Sequence, residues 1–187
     1  MSKGATSREY IMQVCRKIAS AQGLETLTMR RVAKECGIAL GTLYNYYSDK
    51  DELLIAAVES IWREIFHGNE SCSTGVSFPD HVSRLFKRAR DGADKYPDFI
   101  TTHSVVLAKS QKRQAKNAME QYFDHMKFEM LTVLQADPQV DATAFSPSFL
   151  QSDFIDFVMD NILLLLVKES ESCAVLIDII RRMIYRQ

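Results

Sequence analysis

Residues 28–53 read TMRRVAKECGIALGTLYNYYSDKDEL. Thr28 followed by Met29, Val32 and Ala33 predicts a short helix over 29–36, because the threonine hydroxyl can accept from an early backbone N–H that the helix itself leaves unpaired. Gly37 breaks that helix, and after Ile38 a second short helix is expected over 40–46. Upstream, Ile11, Val14, Cys15, Ile18 and Ala19 recur on one face of a longer helix over 7–22, with Ser7 as its cap and Gly23 as its stop. A longer helix followed by two short ones across a tight glycine turn is a tri-helical unit able to read DNA.

Outward from this unit the pattern stays helical. Ser48 or Asp49 caps a helix over 51–66 whose stripe is Leu54, Val58, Ile61 and Ile65. Residues 67–77 read as a loop and 79–95 as a helix ended by Tyr96 and Pro97. A short helix over 98–109 and a long one over 113–134 follow, then a Pro- and Asp-containing loop over 135–147. The last helices are expected over 148–168 and 172–185. No segment alternates with a period of two, so the fold class is all-α. Both final helices are apolar on several faces: Phe154, Phe157, Val158, Ile162, Leu164 and Leu165 on the first, and Val175, Ile177, Ile180 and Ile184 on the second. Such helices are interior to their own domain or share a face with a second copy in a four-helix interface.

Composition narrows the function classes. The 187 residues are 47% hydrophobic and 25% charged with few Gly and Pro, which excludes a mostly disordered or collagenous chain. The longest apolar run, 162–167, is far short of the ~20 residues that cross a bilayer. The N-terminal residues MSKGATSREY contain no apolar signal segment, so the expected location is the cytoplasm. Cys15, Cys36, Cys72 and Cys173 form no CxxC pair and read as free thiols, the first two as small core residues. His67, His81, His103 and His125 have no metal-ligand spacing, and GxGxxG, GxxxxGK and GxSxG are absent. The reading is therefore not an enzyme, with no catalytic residue, metal or cofactor expected. Residues 1–50 carry eight basic and four acidic side chains, net +4, while the remainder carries 15 and 20, net −5. The N-terminal portion suits an anionic partner.

Within the second short helix, Gly41 leaves the backbone uncovered for close approach to a groove wall. Thr42 offers a methyl to thymine or a hydroxyl to base or phosphate, and Asn45 can reach a base edge. Thr28 and Lys50 stand at the starts of the flanking helices, where N–H groups and a positive side chain suit phosphate. Arg30, Arg31 and Lys34 either add electrostatic affinity or are solvated surface. Ala39 provides no side-chain cap, and Leu40 beside it is apolar at a groove-facing position; together they suit contact with a thymine methyl.

This segment closely resembles the signature of the TetR family of bacterial transcriptional regulators. Thr28, Val32, Ala33, Gly37, Ile38, Gly41, Thr42, Leu43, Tyr44, Tyr46, Tyr47, Lys50 and Leu53 match in one register, and the likeness reaches weakly back to Arg8. The resemblance implies that Tyr44 contacts phosphate, that Tyr46 touches the DNA backbone and that Tyr47 packs in the core. Ala39 departs from the family's usual Ser or Thr. The resemblance further implies a helix-turn-helix domain over 1–50 and a helical effector-binding and dimerisation domain over 51–187. Its partners would be double-stranded DNA with a palindromic operator, a second copy held through the last two helices, and a small molecule that releases the DNA. Candidates for lining such a ligand cavity are Trp62, Phe66, Phe86, Phe99, Tyr122, Phe123, Met126 and Phe157, a composition that favours an apolar or aromatic ligand. His103, Lys109, Lys112, Arg113 and Lys116 cluster charge that reads as a solvated face or as contact to an anionic effector. The alternatives are a helical interaction or signalling module without specific DNA binding, and an activator or nucleoid-type binder with no small effector.

Overall fold

A computed structural model describes residues 6–66, 75–96, 99 and 113–186, with backbone only for 113–122. Apart from Phe99, the expected helix over 98–109 and most of the loop over 67–77 therefore lie outside the described residues, as do His67, Cys72 and His103. Among the described residues there is no β-strand, only the isolated bridges Val140–Tyr185 and Ser146–Phe149. Two compact units emerge, Met1–Ile65 with Gly92–Glu120 and Phe66–Asp91 with Gln121–Gln187.

In the first unit, α1 spans Arg8–Gln22, α2 Met29–Cys36, α3 Leu40–Tyr44 and α4 Lys50–Phe66, the last of which leaves the unit after Ile65. Ser7 caps α1 by accepting from the Tyr10 N–H at 3.1 Å, as the sequence implies. The α1 face Ile11, Met12, Cys15, Ile18 and Ala19 is buried. It shares the core with Leu24, Leu27, Val32, Leu43, Tyr47 and Leu53. The start of α4 is fixed reciprocally: Asp49 Oδ1 accepts from Glu52 N–H at 2.9 Å, and Glu52 Oε2 accepts from Ser48 N–H at 2.7 Å.

One guanidinium joins α1 to α4. Arg16 Nε lies 2.8 Å from Glu64 Oε2, a second nitrogen donates to the Ser60 hydroxyl, and a third pairs with Glu9 at 3.1 Å. Glu64 also accepts from Lys95 and, at 3.0 Å, from the Tyr96 hydroxyl. Burial disfavours its ionised form, but these donors and the neighbouring cations outweigh burial and hold its pKa below the usual value. Gly92 lies so close to α4 that a Cβ there would fall 2.4 Å from Ile65 Cγ1.

In the second unit, α5 starts at Phe78 within Phe78–Lys95 and α6 spans Arg113–Ala136; both helices are divided between the units. The helices α7, Gln151–Val167, and α8, Ala174–Ile184, belong wholly to this unit. Asp137, just past α6, is a buried carboxylate that accepts from Phe78 N–H at 2.7 Å, from Gln139 N–H at 3.0 Å and from the Tyr185 hydroxyl. Burial opposes its ionisation, yet those three hydrogen bonds prevail and lower its pKa. Phe154 packs against Phe78, Phe145 and Phe149 beside it. The end of α7 is closed by Ser170 N–H on the Leu165 carbonyl and Glu169 N–H on the Leu166 carbonyl. That closure places Glu169 at φ 52°, a left-handed position more suited to glycine.

Each of the last two helices buries one apolar face in its unit and leaves other apolar residues exposed. Phe154, Val158 and Ile162 of α7 and Ile177, Ile180 and Ile184 of α8 are buried. Phe157, Leu164 and Val167 are 43–51% exposed, and Val175, Ile179 and Met183 are 37–75% exposed.

Candidate nucleic-acid interface

The turn that presents α3 is built from backbone chemistry. Gly37 adopts φ 68°, donating to the Lys34 carbonyl at 3.0 Å while Ile38 donates to the Ala33 carbonyl at 3.0 Å. This pairing closes α2 and reverses the chain at a conformation that costs a side-chain-bearing residue about 1–2 kcal/mol. Thr28 caps the other end of α2, accepting from Arg31 N–H at 3.2 Å; its hydroxyl hydrogen is still a donor. Ala39 begins α3 with no side-chain cap, as its methyl requires.

The regular α3 ends at Tyr44, two residues short of the expected end. Past it, Tyr46 N–H and Tyr47 N–H both donate to the Leu43 carbonyl at 3.0 Å, so the chain continues as tight turns. Those turns drive Leu43 and Tyr47 into the core and leave Gly41, Tyr44 and Asn45 exposed, with Thr42 and Leu40 half-buried. A Cβ at Gly41 would meet nothing within 4 Å, so its surroundings are open for a groove wall. Lys50 is exposed at the first position of α4, and Arg30 and Lys34 are exposed on α2, with Arg31 half-buried.

The three tyrosines have three different environments. Tyr44 is 48% exposed. The Tyr46 hydroxyl donates to the Thr6 carbonyl at 2.5 Å, tying the residue before the α1 cap to the end of the α3 segment. That hydroxyl retains acceptor capacity, while its proton is already committed. Tyr47 packs in the core as the resemblance implies; burial pushes its pKa up to about 12, and the Arg8 guanidinium sits 5.2 Å from its ring centre.

Other sequence candidates fall into place. Cys15 is buried with its thiol pKa pushed up to about 12, mainly by desolvation, and Cys36 and Cys173 are buried and raised in the same direction. Such thiols are poor nucleophiles. His81 is half-buried with a pKa lowered chiefly by desolvation, and His125 lies 3.3 Å from Glu129 one turn along α6. Among the described residues no group of metal-ligating side chains gathers. None of the described helices is long and apolar enough to cross a membrane.

The eight aromatic and methionine candidates do not stand as one set. Trp62 and Phe99 are buried in the first unit, edge to face at 5.1 Å. Phe66, Phe86 and Met126 are buried in the second, with Phe123 half-buried. Phe157 points to the surface. The side chain of Tyr122 lies outside the described residues, as do those of Arg113 and Lys116 and the whole of Lys109 and Lys112. A cleft of about 850 Å³ in the second unit is lined by none of the eight. It lies beside Asp137 and the end of α8, a site the sequence reading missed because its walls come from three distant segments.

Residues 11–57 match the family described as bacterial regulatory proteins, tetR family. Over these residues the chain is similar to the TetR family. The matched residues run from α1 through the first turns of α4 and include α2 and α3. The nucleoid occlusion factor SlmA of Pasteurella multocida is 27% identical over 120 residues, covering 62% of this chain and 59% of that protein. The chain therefore spans less than two thirds of that relative. Two solved structures share the fold. BioQ with its natural double-stranded DNA operator aligns with a TM-score of 0.61 at 19% identity, covering 90% of each chain. The regulator FadR of Bacillus subtilis in complex with stearoyl-CoA aligns with a TM-score of 0.58 at 11% identity, covering 89% of this chain and 90% of that one.

Proposed function

We propose that the chain is a sequence-specific DNA-binding transcriptional regulator, a homodimeric repressor released from a palindromic operator by a small, largely apolar or aromatic ligand. One observation carries this reading: the Gly37 turn and the Leu43–Tyr47 anchor hold Gly41, Thr42, Tyr44 and Asn45 outward on one short element, flanked by Thr28 and Lys50. Asn45 and Thr42 would read base edges, with Ala39 and Leu40 against thymine methyls. Tyr44, Thr28, Lys50, Arg30, Arg31 and the acceptor side of Tyr46 would hold phosphates. BioQ, of like fold, is solved with its operator, and FadR with an acyl-CoA, which supports DNA and ligand as partners.

In this reading residues 1–50 form the DNA-binding domain and 51–187 the effector and dimerisation domain. The chain is not an enzyme and works in the cytoplasm. The exposed apolar residues of α7 and α8 supply the dimer contact, and the aromatic candidates supply a ligand site. A second reading is favoured by the likeness to a nucleoid occlusion factor: a DNA binder with no small effector.

Selection from a random duplex library with the full chain, repeated at two salt concentrations, tests the proposal. A palindromic winner that binds more weakly at high salt supports it. Asn45→Ala should lose preference at one base position, and Tyr44→Phe should weaken all sequences alike. No enriched sequence from a folded dimer would leave the interaction-module reading standing. Specific binding that survives every metabolite tried would favour the binder without effector.

A further inference from the structure

We infer that the cleft at the end of α8 binds a small organic acid or phosphate ester, an apolar body carrying one oxyanion. Its volume, about 850 Å³, is that of a small-molecule site and far exceeds what a bare anion fills. Val76, Pro79, Val133 and Ala136 give it an apolar wall, and Arg181, Arg182 and Arg186 give it a cationic rim.

Among the side chains that line the cleft, arginines outnumber carboxylates three to two. Two carboxylates also line the cleft, Asp80 and Asp137. Asp137 already accepts from two backbone N–H groups and the Tyr185 hydroxyl, so its charge is matched within the protein. Arg181 stands 3.8 Å from Asp80 and Arg186 3.7 Å from Asp141. These separations hold an ion pair but exceed the ~3.2 Å reach of a good hydrogen bond, so those carboxylates do not satisfy the guanidinium donors. Arg182 spends its Nε donor on Asp178 at 2.7 Å. A guanidinium carries five donors in a planar fork that matches carboxylate or phosphate two-pronged. The rim thus supplies recognition for the oxyanion and the wall a place for the carbon skeleton. This site uses none of the residues proposed above for an effector, and its occupancy is measured without DNA, so it stands or falls apart from the regulator reading.

Calorimetric titration of the full chain with hexyl phosphate, hexanoate, hexanol and inorganic phosphate tests it. Hexyl phosphate and hexanoate should bind, with hexanol and inorganic phosphate each at least about tenfold weaker. R181A/R182A should weaken hexyl phosphate about tenfold, and R181K/R182K should restore only part of that because an ammonium lacks the fork. Both arginines are exposed, so circular dichroism and the thermal midpoint should be unchanged in these variants. Ala136→Trp, at an exposed wall position, should block hexyl phosphate and hexanoate by filling the space. Equal affinity in the parent chain and R181A/R182A would overturn the proposal, as would hexanol or inorganic phosphate binding as tightly as hexyl phosphate. Unimpaired binding in Ala136→Trp, or no binding of any of the four, would also overturn it.

Discussion

The exposed face of α3 and the exposed faces of α7 and α8 are opposites in chemistry. On α3 the large apolar side chain that could pack, Leu43, is fully buried, and the surface is left to glycine, hydroxyls and an amide. On α7 and α8 the core is filled by Phe154, Val158, Ile162, Ile177, Ile180 and Ile184, and an apolar surplus from Phe157 to Met183 faces outward. A short helix with one buried side has nothing apolar to spare, and its remaining positions can serve hydrogen-bonded recognition. Longer helices with more apolar residues than their own core absorbs are suited to a non-directional contact with another apolar surface.

Breaking the contrast at its anchor should have the largest effect. Leu43→Ala should destabilise the first unit by about 2–5 kcal/mol, read by denaturant unfolding, since the cavity opens under a helix only five residues long. Unchanged stability would mean that α3 is not held from beneath. On the other face, V175D/I179D places two charges in the apolar surplus of α8. It should raise the dimer dissociation constant about a hundredfold, roughly 3 kcal/mol, in sedimentation experiments, with helicity preserved. A dimer that survives would move the interface elsewhere.

Gly41→Val sharpens the comparison by separating fold from recognition. The new side chain enters open space, so the thermal midpoint should hold while affinity for the selected DNA falls at least about tenfold, because the branched chain occupies the groove's approach. Binding that persists would show that the backbone at Gly41 never nears the duplex. The smallest expected change is at Glu169, where glycine relieves a left-handed backbone angle: Glu169→Gly should stabilise by about 1 kcal/mol in equilibrium unfolding. A loss of stability would mean that the glutamate side chain earns its strained place.

What was legible in the sequence follows the range of the interaction that fixes it. Ser7, Thr28, Gly23 and Gly37 act on residues within a turn of themselves, and α1 and α2 begin and end where those residues put them. The missing cap at Ala39 was legible for the same reason. The stop at Tyr44 was not, because no breaker stands there; the chain leaves the helix to drive Tyr47 into a core made by other segments. Phe157 and Phe154 are the same residue type one turn apart, and only tertiary burial sends one inward and the other out. The cleft was invisible for a related reason: Asp137 meets Phe78 and Tyr185 across 59 and 48 residues of chain.

The bridge from Arg16 to Ser60 and Glu64 has a mechanical consequence. Two donors of one guanidinium fasten α1 to α4, and α1 packs on α2, which in turn packs on α3, so these three helices form the short arm of a lever whose long arm is α4. At ~1.5 Å per residue the 17 residues of α4 span about 25 Å. A tilt of only about five degrees along that length displaces its tip by about 2 Å, and the Arg16 pairing ties α1 to the Ser60–Glu64 end of α4. In the proposed dimer, the spacing between the two copies of α3 would then change by small rotations, with no need to unfold or rebuild either one.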